Sequence, residues 1–549
     1  MNKLTSLIIF NLIAILIGFI PLNAQRMPAL ESPELMRGSN GEGRSWWDLR
    51  KYKLHLNPDI SGKIISGTCE VYFNAITEGQ IIQIDLQDPM KILNVRNLAN
   101  GNILKFKRVS DNVYFINLDE EVEPHENYSL AIDFTGKPQE ALNPPWEGGV
   151  QWIADSLGRP LIAVSCQGKG ASLWWPCKDI QSDEPDEGVD IFITIPQYLS
   201  AVSNGLLINK INVHPDQVEW HWQVKNPINN YSITMNIGYY VADTFNYNGI
   251  NGNLKCSIYL LDYHSRHFSY MKSRVIQMLD CFESKIGSYP FYSDGYKITE
   301  TPFLGMEHQS NIAYGNGFKE GYLGRDRSGT GLGLKWDFII IHESGHEWFG
   351  NSITAADIAD NWIHEGFTTY METIFTECQT GSSEQAMKYV IGQQRGIYND
   401  FPLVAHHGIN EDPPGDIYDK GANMINMIRL IINNDSIFYA MLQKMNTTYY
   451  HKVVTSIEIE NFISTFSSIN FQPFFNQYLY TREYPIIGYK QENEFLYFKL
   501  LKGASFPIAY IDLSGKRHFV TPEYDQVKIK LIDGFLKWDP AFLLDIRNL

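Results

Sequence analysis

Hydrophobic and polar residues alternate in short runs from about Trp46 to Tyr240, as in YKLHLN (52–57), IIQIDLQ (81–87) and VEWHWQV (218–224), with Asn, Gly, Pro and Asp between them. A period of two turns one face of each run to a core, so this region is predicted all-β. From about His264 to Leu479 the spacing changes to three and four, as in MKSRVIQMLDCFESKI and GANMINMIRLII, which predicts helices. After Pro485 short alternating runs return, EFLYFKL and QVKIKLI among them. The prediction is a multidomain α+β chain with a β-rich part, a mostly helical part and a small β part.

The polar stretch FNYNGINGN (245–253) is expected to link the first two parts. At the start, Lys3 precedes an apolar run from Leu7 to Leu22 and a small Ala24. That is the pattern of a secretory signal peptide; as a membrane anchor the run is too short and is interrupted by Asn11. The expected division is a signal peptide at 1–24, a β domain at 25–250, a catalytic domain at 251–484 and a C-terminal β domain at 485–549. The protein is expected to be secreted or periplasmic, with no stable membrane anchor.

With 549 residues, 44% of them hydrophobic, the chain can build large cores. A net charge of −17 argues against a phosphate-binding surface, so no nucleic-acid partner is expected. Six cysteines are too few for a disulfide framework; Cys166 and Cys177 either pair or stay as buried thiols. The glycines of SGTGLGLKW (328–336) match no phosphate-binding fingerprint and predict a flexible loop before the next helix.

That helix carries IIIHESGHEWFG (339–350). His342 and His346 lie one turn apart on one face, and Glu343 is rotated about 100° to flank whatever they hold. Two neutral imidazoles suit zinc, and an adjacent carboxylate suits a base for water. Downstream, DNWIHEGFTTYMETIF (360–375) reads as a second helix with Glu365 in its first turn. Packed side by side, the two helices would bring Glu365 to the histidines. Three protein ligands with a fourth position open is the catalytic type of zinc site.

With these motifs in hand, the chain resembles the gluzincin aminopeptidases of the aminopeptidase N and leukotriene epoxide hydrolase type. HESGHEWFGNSIT…WIHEGF is similar to the family's H-E-x-x-H-x18-E, LGMEHQ (304–309) to its G-x-M-E-N, YDKGA (418–422) to its Tyr-x-Lys-Gly-Ala, and CQGKGASLWWPCKD (166–179) to its N-domain segment. The resemblance covers essentially the whole chain after the signal peptide. It implies a β saddle, a thermolysin-like catalytic domain and a small β-sandwich, in a short form without the large C-terminal helical domain of many members. It also implies one Zn2+ held by His342, His346 and Glu365, Glu343 as the base, Tyr418 as the phenol that stabilises the oxyanion, and Glu307 with Gln167 as binders of the substrate's free α-amine.

Three positions depart from the pattern. Leu304 and His308 replace the first Gly and the last Asn of G-x-M-E-N, and His364 stands where the family has Asn before the third ligand. A histidine titrating near 6.5 would add a pH dependence. No catalytic role is assigned to His308. The expected function is a zinc-dependent aminopeptidase that removes N-terminal residues from peptides by metal-activated water attack. The alternatives are a metalloendopeptidase with the same zinc site, or a non-catalytic peptide-binding relative.

Overall fold

The computed structural model describes residues 33–549; the expected signal peptide at 1–24 lies outside them. A seven-stranded sheet dominates the first part, in the order Leu206–His214, Gln217–Val224, Val189–Pro196, Trp47–Asp59, Ile64–Ala75, Asn127–Gly136, Lys91–Asn97. Strands Trp47–Asp59 and Val189–Pro196 pair in parallel. Along Trp47–Asp59, Trp47 and Leu49 are buried, then Tyr52, Leu54 and Leu56. The alternation slips by one residue where the pairing with Ile64–Ala75 shifts, between Leu49 and Lys51. A bulge there keeps every large apolar side chain on the core face.

A four-stranded sheet, Ser200–Ser203, Met235–Gly238, Pro160–Ser165, Gly149–Ala154, closes over the same core. This core extends to Phe303, Met306 and Ala313, so the saddle packs directly against the segment that carries Glu307. Gln181 strengthens that seam by donating to the Ala355 carbonyl at 2.9 Å and to Asn361 Oδ1 at 2.8 Å.

The stretch 245–253 is not a linker. Strands Tyr240–Gly249 and Gly252–Leu261 pair along their whole length, so its asparagines and glycines serve a tight hairpin turn. The hairpin begins a five-stranded sheet that continues through Tyr296–Glu300 and Ile312–Tyr314 to the edge strand Gly305–Met306. Helices Phe268–Ile286 and Phe338–Gly345 pack against it, Trp362–Thr380 packs on those two helices, and Asp419–Ile432 packs on Trp362–Thr380. Their cluster of buried side chains runs on without a break into the C-terminal β part, through Phe474, Phe475 and Tyr478 to Leu496, Phe498 and Trp538. That last part comprises a four-stranded and a three-stranded sheet.

Cys166 and Cys177 are both free, buried thiols, and Cys166 donates to the Tyr231 carbonyl. The one disulfide among the described residues joins Cys281 to Cys378, bridging helices Phe268–Ile286 and Trp362–Thr380. Among the described residues, no helix is long and apolar enough to cross a membrane.

Candidate active site

The helix Phe338–Gly345 is buried on every side. Its sequence is apolar all round except for the motif residues, which fits a helix inside a core. Asp337 caps its start by accepting from the Ile340 amide, and is itself held by the Tyr314 and Tyr270 hydroxyls. His346 follows at the C-cap with helical φ of −62° and ψ of −20°, so the two histidines keep their one-turn separation. Their ring centroids lie 5.0 Å apart.

Glu365 sits in the first turn of the helix Trp362–Thr380. Its Oε2 lies 3.5 Å from His342 Nε2 and 3.3 Å from His346 Nε2. Ligand atoms of all three residues fall within 4.8 Å of one another. Glu365 Oε2 is buried, yet no donor among the described residues makes a hydrogen bond to it. A bare carboxylate oxygen between two imidazole nitrogens is costly without a cation, so the set fits a single divalent ion.

The outer ring nitrogens fix the tautomers. His342 Nδ1 is 2.8 Å from Glu372 Oε1, and His346 Nδ1 is 3.0 Å from the Phe349 carbonyl. Both partners accept, so each Nδ1 carries a proton and each Nε2 is turned toward Glu365. Glu372 is oriented in turn, its Oε2 accepting from the Tyr389 hydroxyl at 2.7 Å and the Gln393 amide at 2.9 Å. Burial resists a charge on either imidazole, but the carboxylates around them prevail and raise both, His342 to about 10. The same field that holds a proton there would hold a metal ion.

Glu343 lines the same cavity, of about 570 Å³. Burial pushes its carboxyl up to about 7; Glu307 adds to the rise, while His342 and His346 oppose it. Gly305, on the edge strand, lies against it so closely that a Cβ would come 2.5 Å from Glu343 Oε1.

Glu307 is buried on the next stretch of chain. Its Oε1 accepts from Gln167 Nε2 at 2.6 Å and from the Tyr231 hydroxyl at 3.1 Å, both reaching across from the saddle. Asn351, in the segment after the histidines, donates to the Glu307 carbonyl at 2.9 Å. Glu307, Glu343 and His346 also present atoms within 4.8 Å of one another.

Tyr418 precedes the helix Asp419–Ile432 and faces the His342 ring at 6.0 Å. Burial, with Glu365 and Glu307 nearby, holds its phenol protonated well above the usual range. All seven residues singled out in the sequence thus line one cavity.

The two substituted histidines do not bring a pH dependence near neutrality. His364 Nε2 accepts the Ala355 amide at 2.7 Å, which requires the neutral ring, and burial lowers its pKa to about 3. Burial likewise lowers His308 to about 3, and neither of its ring nitrogens has a partner among the described residues.

Sequence reasoning missed Glu372 and Tyr231. Glu372 had a signal: it stands seven residues after Glu365, two turns along the same face of a buried helix. Tyr231 had none, because its place beside Glu307 depends on how the saddle packs.

Fold and site together define the class: a β-rich part joined to a helical part, with two histidines and a glutamate placed so that they could hold one metal ion, as in the gluzincins. The chain belongs to peptidase family M1, matching the Peptidase M1 N-terminal domain over residues 49–232 and the Peptidase family M1 domain over residues 304–478. It is 25% identical over 437 residues to endoplasmic reticulum aminopeptidase 2 of Bos taurus, covering 72% of this chain and 44% of that one. Endoplasmic reticulum aminopeptidase 1 of Mus musculus is 23% identical over 340 residues, covering 59% of this chain and 35% of its own length. The chain thus spans less than half the length of these relatives. The solved M1 zinc metallopeptidase of Deinococcus radiodurans aligns with a TM-score of 0.67 and 20% identity, over 82% of this chain and 98% of that one, a likeness of fold. A mutant of it was solved bound to a Tyr-Ser-Ala substrate, with the same TM-score and identity over 81% and 96%.

Proposed function

We propose that the protein is a zinc-dependent aminopeptidase that removes residues one at a time from the free N-terminus of peptides. The observation that carries this reading is Glu307, a buried carboxylate held by Gln167 and Tyr231 in the same cavity as Glu343 and the three ligand residues. A substrate ammonium offers three donors, and Glu307 with the Gln167 amide oxygen supplies acceptors for them. Backbone extending upstream of the amine would meet the saddle instead of open solvent. Relatives of the chain named as aminopeptidases support the same reading.

His342, His346 and Glu365 would hold the zinc, which when bound supplies the Lewis acidity that polarises a peptide carbonyl and acidifies water. Glu343, with its carboxyl near 7, is suited to take a proton from water and hand it to the departing amine at neutral pH. Tyr418 keeps its phenolic proton and donates it as a hydrogen bond to the oxygen that gains charge. The proposal includes export, on the strength of the sequence at 1–24, and a division into a saddle (25–250), a catalytic unit (251–484) and a β-sandwich (485–549).

The test is a panel of aminoacyl chromogenic amides and their N-acetylated forms, each with and without a chelator. The free amines should be cleaved, the acetylated forms ignored, and the chelator should abolish turnover. Glu343→Gln should retain the metal and lose activity by about 10²–10⁴. Rapid cleavage within N-blocked peptides would replace this reading with an endopeptidase.

A further inference from the structure

The cleft is acidic beside His342 and His346, where Glu307, Glu343 and Glu365 converge, yet one strongly basic side chain also lines it. Arg327 is the only arginine or lysine among the described residues that line the cavity. Its side chain is 31% exposed. Among the described residues, its guanidinium hydrogen-bonds only from Nη2, to the two oxygens of Asp419 at 3.3 and 3.4 Å. Among the described residues, Nε and Nη1 have no hydrogen-bond acceptor.

Arg327 is firmly placed. It stands just before the glycine-rich segment 328–336, and its own stretch is pinned: Asp326 accepts from the Ser328 amide at 3.0 Å, and Arg395 donates to the backbone carbonyls of Asp326 and Arg327, each at 3.0 Å. The guanidinium lies 5.4 Å above the Phe338 ring, and that ring stacks 5.3 Å from His342. The order along the cleft follows. Glu307 groups with His346, while Arg327 adjoins Phe338 and, beyond it, His342. A substrate with its amine at Glu307 and its scissile carbonyl at the ligand residues must send its leaving fragment toward Arg327. The two steps from His342 to the guanidinium are together covered by about three extended residues at ~3.3–3.6 Å each.

We propose that Arg327 binds a carboxylate on the leaving side of the substrate, so that the enzyme favours short peptides with a free C-terminus, or an acidic residue just after the scissile bond. This rests on the aminopeptidase reading and adds its second anchor. With Asp419 engaging only Nη2, the N–H groups of Nε and Nη1 are left to donate charge-assisted hydrogen bonds to a carboxylate. Both sources share that chemistry, and they separate experimentally.

The test compares kcat/KM for Leu-Ala-Ala and its C-terminal amide, and for Leu-Asp-Ala amide and Leu-Asn-Ala amide, in the wild type and in Arg327→Gln and Arg327→Lys. The wild type should favour the charged member of one or both pairs by about tenfold or more, chiefly through KM. That ratio should fall to about one in Arg327→Gln and take an intermediate value in Arg327→Lys. The first pair alone responding identifies the C-terminus as the source; the second alone identifies an acidic side chain. Equal rates within both pairs for the wild type, or ratios that survive Arg327→Gln even as its Tm falls, would overturn the inference and leave the aminopeptidase intact. A wild type that cleaves none of the four peptides overturns both.

Discussion

Gly366 and Gly421 meet backbone to backbone: a Cβ on Gly421 would stand 2.8 Å from the Gly366 Cα, and one on Gly366 would lie 3.3 Å from the Gly421 Cα. Each glycine sits next to working residues, Gly366 after Glu365 and Gly421 three past Tyr418. Their close approach is what lets a metal-ligand helix and the tyrosine's helix share one site. Gly421→Ala must push the two helices apart. Overpacking of this kind costs about 1–3 kcal/mol. The expected outcome is a lower Tm with a still larger loss of kcat, read by calorimetry and by turnover of an aminoacyl amide. A variant with full activity would show that the helix spacing does not set the site.

Glu372 accepts from His342 Nδ1 and so aims its Nε2. Replacing Glu372 with Gln removes the charge and lets the amide nitrogen compete for the same contact. Zinc affinity should drop by about 10–100-fold. Competition with a fluorescent chelator measures this directly, without need of a substrate.

Tyr418→Phe deletes a donor while keeping the ring against His342. A group that acts on developing charge should cost about 10²–10³ in kcat with KM nearly unchanged. A rise in KM at constant kcat would make Tyr418 a binding residue instead.

Asp337 caps the helix that bears His342, and burial pushes its carboxyl up to about 6, against the hydrogen bonds it accepts from Tyr314 and Asn316. A raised folded-state value means the folded protein holds this proton more tightly than the unfolded chain. Its contribution to stability is therefore full below about pH 4 and is lost as pH rises toward 6. Asp337→Asn, which cannot ionise, should gain on the wild type across that window by roughly 3 kcal/mol at about 1.4 kcal/mol per pKa unit. Denaturant midpoints of both proteins from pH 4 to 7 would reveal the gap; parallel curves would refute it.

Much of this protein was determined by the sequence alone, wherever the information is local. A period of two or of three to four follows from which face must be buried, so the β, helical, β succession could be read along the chain. The pair His342 and His346, with Glu343 beside it, needs only the pitch of a helix, and Glu365 needs only a second helix packed nearby. Local signals also misled: the Asn/Gly-rich stretch at 245–253 has the composition of a linker and of a hairpin turn alike, and only strand pairing chose between them. Tertiary structure alone decided contacts between distant segments. Tyr231 reaches Glu307 across 76 residues, Cys281 finds Cys378 across 97, and Arg327 faces the cleft because Asp419 and Arg395 hold it there. The charge states of His308 and His364 were decided in the same way, since an imidazole's preference for neutrality depends on how much water its neighbours leave it, and those neighbours are set by packing rather than by order along the chain.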